Sequence, residues 1–136
     1  MALDFSGKWL GKKDLFKFPL GGIMRWLGGI PVDRSKSTNM VDFAANLLKS
    51  SDNLGLIIPP EGTRSKSSKW KTGFYYIAFK AGVPILCGSM DYAKKEVGVG
   101  LILMPTGDIQ ADIKIIREYY SDIQGRHPDQ TSPVEV

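Results

Sequence analysis

Leu54-Gly55-Leu56-Ile57-Ile58-Pro59-Pro60-Glu61-Gly62-Thr63-Arg64-Ser65 is the stretch on which the reading of this chain turns. Residues 54–58 predict a buried strand, which two prolines end in a polar turn. That turn sets a carboxylate, a hydroxyl and a guanidinium within four residues, the pattern of a site rather than of a plain connection. Glu61 is pinned by proline on one side and freed by Gly62 on the other, so its carboxylate is fixed in direction. Some thirty residues earlier, Gly29–Val32 reads as a short strand ending in Asp33-Arg34. Arg34 and Arg64 therefore both follow strands and are expected at the C-terminal edge of the sheet, where open parallel sheets bind ligands. Two guanidiniums from adjacent strand ends suit one phosphate, which they grip through paired N–H donors.

Working outward, residues 6–12 predict a strand that enters a helix near Asp14, an acceptable N-cap. Leu15 to Leu27 is densely apolar but interrupted by Lys17, Pro19, Gly21-Gly22 and Arg25, and reads as a broken helical element. It is either a core helix or a surface that dips into a membrane interface or forms part of an acyl groove. The core is the expectation, since apolar faces normally meet the protein's own sheet. Thr38 or Asn39 caps a helix running through Lys49, with Met40, Val41, Ala44, Leu47 and Leu48 at near-helical spacing. Residues 59–72 form a loop rich in Ser and Lys, and Gly73 to Ala81 a helix stopped by Gly82. Strands over Val83–Met90 and Val97–Met104 come next, then a helix from Asp108 to about Tyr120 with Ile109, Ile113, Ile116 and Tyr120 on one stripe.

Strand and helix thus alternate, which predicts an α/β single domain with a largely parallel or mixed sheet covered by helices; residues 83–104 are also compatible with a hairpin. The domain is expected over 1–123, with 124–136 a polar tail that frays. The 136 residues suffice for one core without staples. Hydrophobic residues at 43% and charged residues at 24% exclude a disordered, collagenous or coiled-coil chain. No run approaches the ~20 apolar residues of a membrane-spanning helix. The first residues lack the apolar core of a secretory signal. Cytoplasmic exposure is the simplest reading of both facts. Cys87, the single cysteine, excludes an intramolecular disulfide and reads as a small buried hydrophobe.

Charge is unevenly placed. Residues 1–71 carry 12 Lys and Arg against 6 Asp and Glu, whereas residues 72–136 carry 6 against 8. The basic half holds the suspected site, and Lys66, Lys69 and Lys71 join Arg64 in one loop, which favours an anionic ligand. Lys71, just before Gly73-Phe74, is placed to reach inward. Glu61 either orients an arginine or a substrate hydroxyl, or forms a structural ion pair with Arg64. Thr63 and Ser65 are either phosphate donors or turn-stabilising hydroxyls. His127, the single histidine, sits in the polar tail, so neither a metal site nor a Ser–His arrangement is supported. Glycine-rich nucleotide loops are absent, and only Trp70 is interleaved with the basic loop, which argues against nucleic acid.

Three ordered blocks, Gly29-Ile30-Pro31-Val32-Asp33-Arg34, Pro60-Glu61-Gly62-Thr63-Arg64 and Val83-Pro84-Ile85, make residues 8–105 resemble the glycerophospholipid acyltransferase family. The resemblance implies transfer of a fatty acyl group from acyl-CoA or acyl-carrier protein, as co-substrate rather than cofactor, to a lysophospholipid or glycerol-phosphate hydroxyl. It implies acceptor binding by Arg34, Glu61, Gly62 and Arg64, with Pro84 shaping the site. By the same resemblance a His-x-x-x-x-Asp pair supplies the base and its orienting carboxylate. That motif is absent from this sequence. Because Lys12–Phe16 resembles the family's segment just C-terminal to the motif, the pair is expected upstream of Met1. The chain is then the acceptor-binding part of a truncated acyltransferase, peripheral on the inner, cytoplasmic face of the membrane. Exposed apolar surface and a tendency to dimerise are expected. The alternatives are a non-catalytic module for anionic lipid or phosphate and an unrelated α/β interaction domain.

Overall fold

The computed structural model describes residues 6–32, 37–62 and 66–136, which fall into two compact units, 1–59 and 60–136. The protein is mixed α/β, with one parallel and one antiparallel sheet among the described residues.

In the first unit, β1 (Ser6–Lys12) lies between β2 (Gly29–Val32) and β3 (Leu54–Ile57), and both neighbours run parallel to it. Trp9 faces Gly29 on one side and Ile57 on the other, and Lys12 faces Val32. Parallel neighbours need a crossover. The first is supplied by a 3-10 turn (Lys13–Phe16) and α1 (Gly21–Trp26), the second by α2 (Ser37–Lys49). Phe16, Val32, Ala44 and Ala45 are the buried hydrophobic residues described in this unit, and the Trp9 and Phe16 rings meet at 5.9 Å. The Trp9 indole N–H donates to the Leu27 carbonyl at 3.1 Å, tying β1 to the end of α1.

Three expectations are corrected here. α2 begins at Ser37, so Thr38 and Asn39 lie in its first turn rather than capping it. Asp14 caps no helix and instead pairs with Lys17 at 2.9 Å and Lys12 at 3.0 Å. The Lys17 hydrogen bond, then that of Lys12, lowers the Asp14 carboxyl to about 2. Leu15–Leu27 is a broken helical element, but not a core helix: Phe18 is 97% and Trp26 84% exposed, and Leu15, Leu20, Ile23 and Leu27 are each more than half exposed. A helix of two turns has room to bury only one short face, and Gly21 occupies it.

In the second unit, α3 (Gly73–Ala81) ends at Gly82 in the left-handed region, φ 69°, as its sequence predicts. β4 (Ile85–Asp91) and β5 (Glu96–Leu103) form an antiparallel hairpin with an irregularity between Cys87 and Gly88. The four residues between them are too few for the dozen or so that a parallel crossover needs. Asp91 fixes the turn, accepting from the Ala93 and Lys94 amides at 3.0 and 3.1 Å. α4 (Ile109–Ser121) is capped by Asp108, whose carboxylate accepts from the Ala111 amide at 3.1 Å. Its stripe packs Ile113 and Ile116 against Cys87 and Leu103, with Ile109 and Tyr120 beside them.

The tail does not fray. Residues 128–130 form a 3-10 turn, Ser132 is buried, and Val134 and Val136 pack on the same core. Apolar side chains at alternate positions, rather than the polar average of the segment, decide its placement.

Candidate functional site

β2 and β3 leave the parallel sheet at the same edge, leading into Asp33-Arg34 and into Pro59-Pro60-Glu61. They are not adjacent, as their shared strand-end pattern suggests, because β1 stands between them. Their ends are thus two strand spacings, about 10 Å, apart across the sheet. They are also offset along it, since β3 ends opposite Trp9 and β2 opposite Lys12. Arg34, Thr63, Arg64 and Ser65 lie outside the described residues.

Glu61, Gly62 and Lys71 are described in the second unit, and of these Gly62 and Lys71 meet. Lys71 donates its backbone N–H to the Pro60 carbonyl at 2.8 Å, closing the loop that begins with Glu61. Gly62 has φ +65°, and a Cβ there would stand 3.2 Å from Lys71 Cγ. The lysine stem therefore runs along the glycine, a close approach that the missing side chain permits. The Lys71 side chain is exposed, and its ammonium has no hydrogen bond or ion pair among the described residues. Glu61 is half-buried and also has no such partner among them.

Lys66 and Lys69 behave differently. Lys66 donates to the Asp129 carbonyl at 2.9 Å and Lys69 to the Val136 carbonyl at 3.3 Å. Among the described lysines of this loop, Lys71 alone keeps its donors open to a ligand. An exposed lysine whose stem lies along a glycine-opened backbone can offer its ammonium to an anion.

Sequence reasoning missed the buried carboxylate of this unit. Asp112, 1% exposed, accepts from the Tyr75 hydroxyl at 2.7 Å and from the Thr106 amide at 2.8 Å and hydroxyl at 3.1 Å. Tyr75, fully buried, in turn accepts from the Gly107 amide at 3.0 Å. Burial pushes the Asp112 carboxyl up, but the Thr106 amide and the Tyr75 and Thr106 hydroxyls together hold it below its ordinary value. The signal was present, because Asp112 falls three residues after Ile109 and four before Ile116, inside the apolar stripe.

Cys87 is buried, and burial raises its thiol, which suits a packing role. Burial also pushes the Tyr120 hydroxyl up, the Cys87 thiol, Tyr119 and Glu61 adding to it, and that hydroxyl donates to the Gly88 carbonyl at 2.7 Å. No group of three His, Cys, Asp or Glu among the described residues is placed to hold a metal ion, and no described helix is long and apolar enough to cross a membrane.

The parallel sheet of the first unit is that of an α/β protein, and the second unit sets a glycine-opened turn beside an exposed lysine. The chain belongs to the acyltransferase family: the family model described as Acyltransferase matches residues 6–91, well over half of it. It is 37% identical over 83 residues to a 1-acyl-sn-glycerol-3-phosphate acyltransferase of Haemophilus influenzae, covering 57% of this chain and 35% of that one. Enzymes of the same name from Escherichia coli and Cocos nucifera are each 34% identical over 83 residues, with 34% and 27% of their lengths covered. The chain thus spans about a third of the curated relatives it matches. No solved structure matches it.

Proposed function

We propose that this chain carries the acceptor-binding part of an enzyme that transfers a fatty acyl group from an acyl-CoA or acyl-carrier-protein thioester to the hydroxyl of a lysophospholipid or glycerol-phosphate acceptor. The observation that carries the reading is the family match over residues 6–91, which includes both strand exits and the whole Glu61–Lys71 loop. The names of the relatives supply the acceptor class, a 1-acyl-sn-glycerol 3-phosphate. In this reading Arg34, Arg64 and Lys71 neutralise the acceptor phosphate, Arg by paired donors and Lys as a point charge. Gly62 lets the backbone approach it, and Thr63 adds a donor. Glu61 orients a guanidinium or accepts from a second acceptor hydroxyl.

The reaction itself needs a base to take the proton of the reacting hydroxyl. The resulting alkoxide attacks the thioester carbonyl, the C–S bond breaks, and the thiol leaves with a proton. His127 is followed five residues later by Ser132, so no His-x-x-x-x-Asp occurs in this sequence, and none of these 136 residues is assigned as the base. What these residues contribute is the position of the acceptor, which converts an encounter between two substrates into a step within one complex.

Both substrates are amphiphiles, and the exposed Leu15, Phe18, Leu20, Ile23, Trp26 and Leu27 lie among Lys13, Lys17 and Arg25. Aromatic and aliphatic groups flanked by cations suit an anionic bilayer surface, so the protein is assigned a peripheral place on the inner, cytoplasmic face of the membrane. A second copy on the same patch is the competing occupant, detected as a dimer without lipid. The second functional reading is a non-catalytic module for anionic lipid, which the cations Lys13, Lys17 and Arg25 among exposed apolar side chains would serve.

Thiol release from long-chain acyl-CoA with 1-acylglycerol 3-phosphate tests the proposal, on this chain and on a protein extended through any upstream His-x-x-x-x-Asp. Turnover only in the extended protein, lost in its Arg64→Ala variant through a raised KM, is the expected result. Turnover in neither moves the reading to the binding module.

A further inference from the structure

The family match ends at Asp91, yet the last residues of the chain hold the loop that carries Lys71. The successive N–H groups of Trp70 and Lys71 point opposite ways, to the Glu135 carbonyl at 2.6 Å and the Pro60 carbonyl at 2.8 Å. Trp70–Lys71 is therefore a ribbon clamped between the motif turn on one side and the tail on the other. Trp70 is wedged edge-on against Phe74 and Tyr120 at about 6 Å, and its buried indole N–H has no partner among the described residues. Packing and the backbone bond to Glu135 are what hold it. The tail is anchored in its turn: Arg117 Nε donates to the Val134 carbonyl at 2.8 Å, and Val134 and Val136 pack on the core that includes Cys87 and Ile116. Ser132, 8% exposed, accepts the Ser67 amide at 2.9 Å and pins the middle of the loop. The Lys66 and Lys69 contacts with the tail are exposed and add little.

We propose that residues 132–136 are a positioning strap for the phosphate-binding loop, fixing Trp70, and through it Lys71, against the Pro60–Gly62 turn. Ser132 acts as a positioning residue and touches no ligand. The inference rests on the reading of Gly62 and Lys71 as part of the phosphate site. A loop held at both ends loses less freedom on binding, so the strap acts through affinity for the anion rather than through contact with it.

The test is titration with sn-glycerol 3-phosphate, together with amide hydrogen exchange at Trp70 and Lys71. Four variants are compared with the unaltered chain: one ending at Thr131, Ser132→Ala, Ser132→Thr, and Lys71→Ala with the strap intact. Ending the chain at Thr131 is expected to weaken binding about tenfold, and Ser132→Ala about threefold, each with faster exchange at Trp70 and Lys71. Ser132→Thr, which keeps the acceptor hydroxyl, restores both. If the shortened chain loses helical signal in circular dichroism, the Ser132 pair decides. Affinity and exchange unchanged in both the shortened chain and Ser132→Ala, while Lys71→Ala loses binding, overturn the strap alone. No binding by the unaltered chain, or equal binding by Lys71→Ala, overturns the phosphate site and the strap with it.

Discussion

Gly62 shows how a single residue is legible twice, once as chemistry and once as geometry. A glycine after Pro-Pro-Glu marks a turn, and the structure gives it φ +65° with the Lys71 stem 3.2 Å from where a Cβ would stand. Gly62→Ala is therefore expected to destabilise the fold by about 1–2 kcal/mol, read from urea unfolding, and to displace Lys71. An unchanged midpoint would show that the turn relaxes without strain. Lys71 does not reach inward as its place before Gly73-Phe74 suggests, its exposed stem lying along Gly62 instead, and nothing local to Lys66 and Lys69 signals that their partners lie more than sixty residues away in the tail. Asp112 was missed for a related reason. A charge on an apolar stripe has meaning only once Tyr75 and Thr106 are known to meet it.

Asp112 also joins elements, since its hydrogen bonds tie α3 and the segment after β5 to α4. Asp112→Ala leaves the buried Tyr75 hydroxyl without its acceptor and is expected to cost about 3 kcal/mol, measured by denaturant unfolding. The pH dependence has a definite sign. The folded carboxyl titrates below its ordinary value, so its stabilisation is complete above the carboxylate range and is lost as pH falls through the lowered value. Asp112→Asn should flatten the acid limb of the stability profile; a limb of unchanged slope would assign acid sensitivity to other groups. Element types were largely legible, because α3 with its Gly82 stop and α4 with its stripe carry strong local signals. The hairpin was an open alternative, settled by the four-residue connection that allows no crossover. The exposure of α1 was not legible, because periodicity shows that a face is apolar without showing what covers it.

The α/β class was legible in the alternation of strands and helices, but strand order was not: only the structure puts β1 between β2 and β3 and separates the two arginine-bearing exits. At this scale the exposed Phe18 and Trp26 carry the membrane assignment. Replacing both with serine should weaken binding to anionic phospholipid vesicles at least about tenfold while leaving thermal stability nearly unchanged, since neither side chain is buried. Undiminished vesicle binding would remove the patch from the membrane account, and a dimer dissociated by the same change would give it to a second copy. The central claim, that this chain binds the phosphate end of an acyl acceptor, is tested most directly by titrating the isotope-labelled protein with sn-glycerol 3-phosphate and following every backbone amide. Saturable shifts concentrated at Gly62, Lys71 and their loop are the predicted result, whereas saturable binding that leaves those amides unmoved, or no binding, would contradict it.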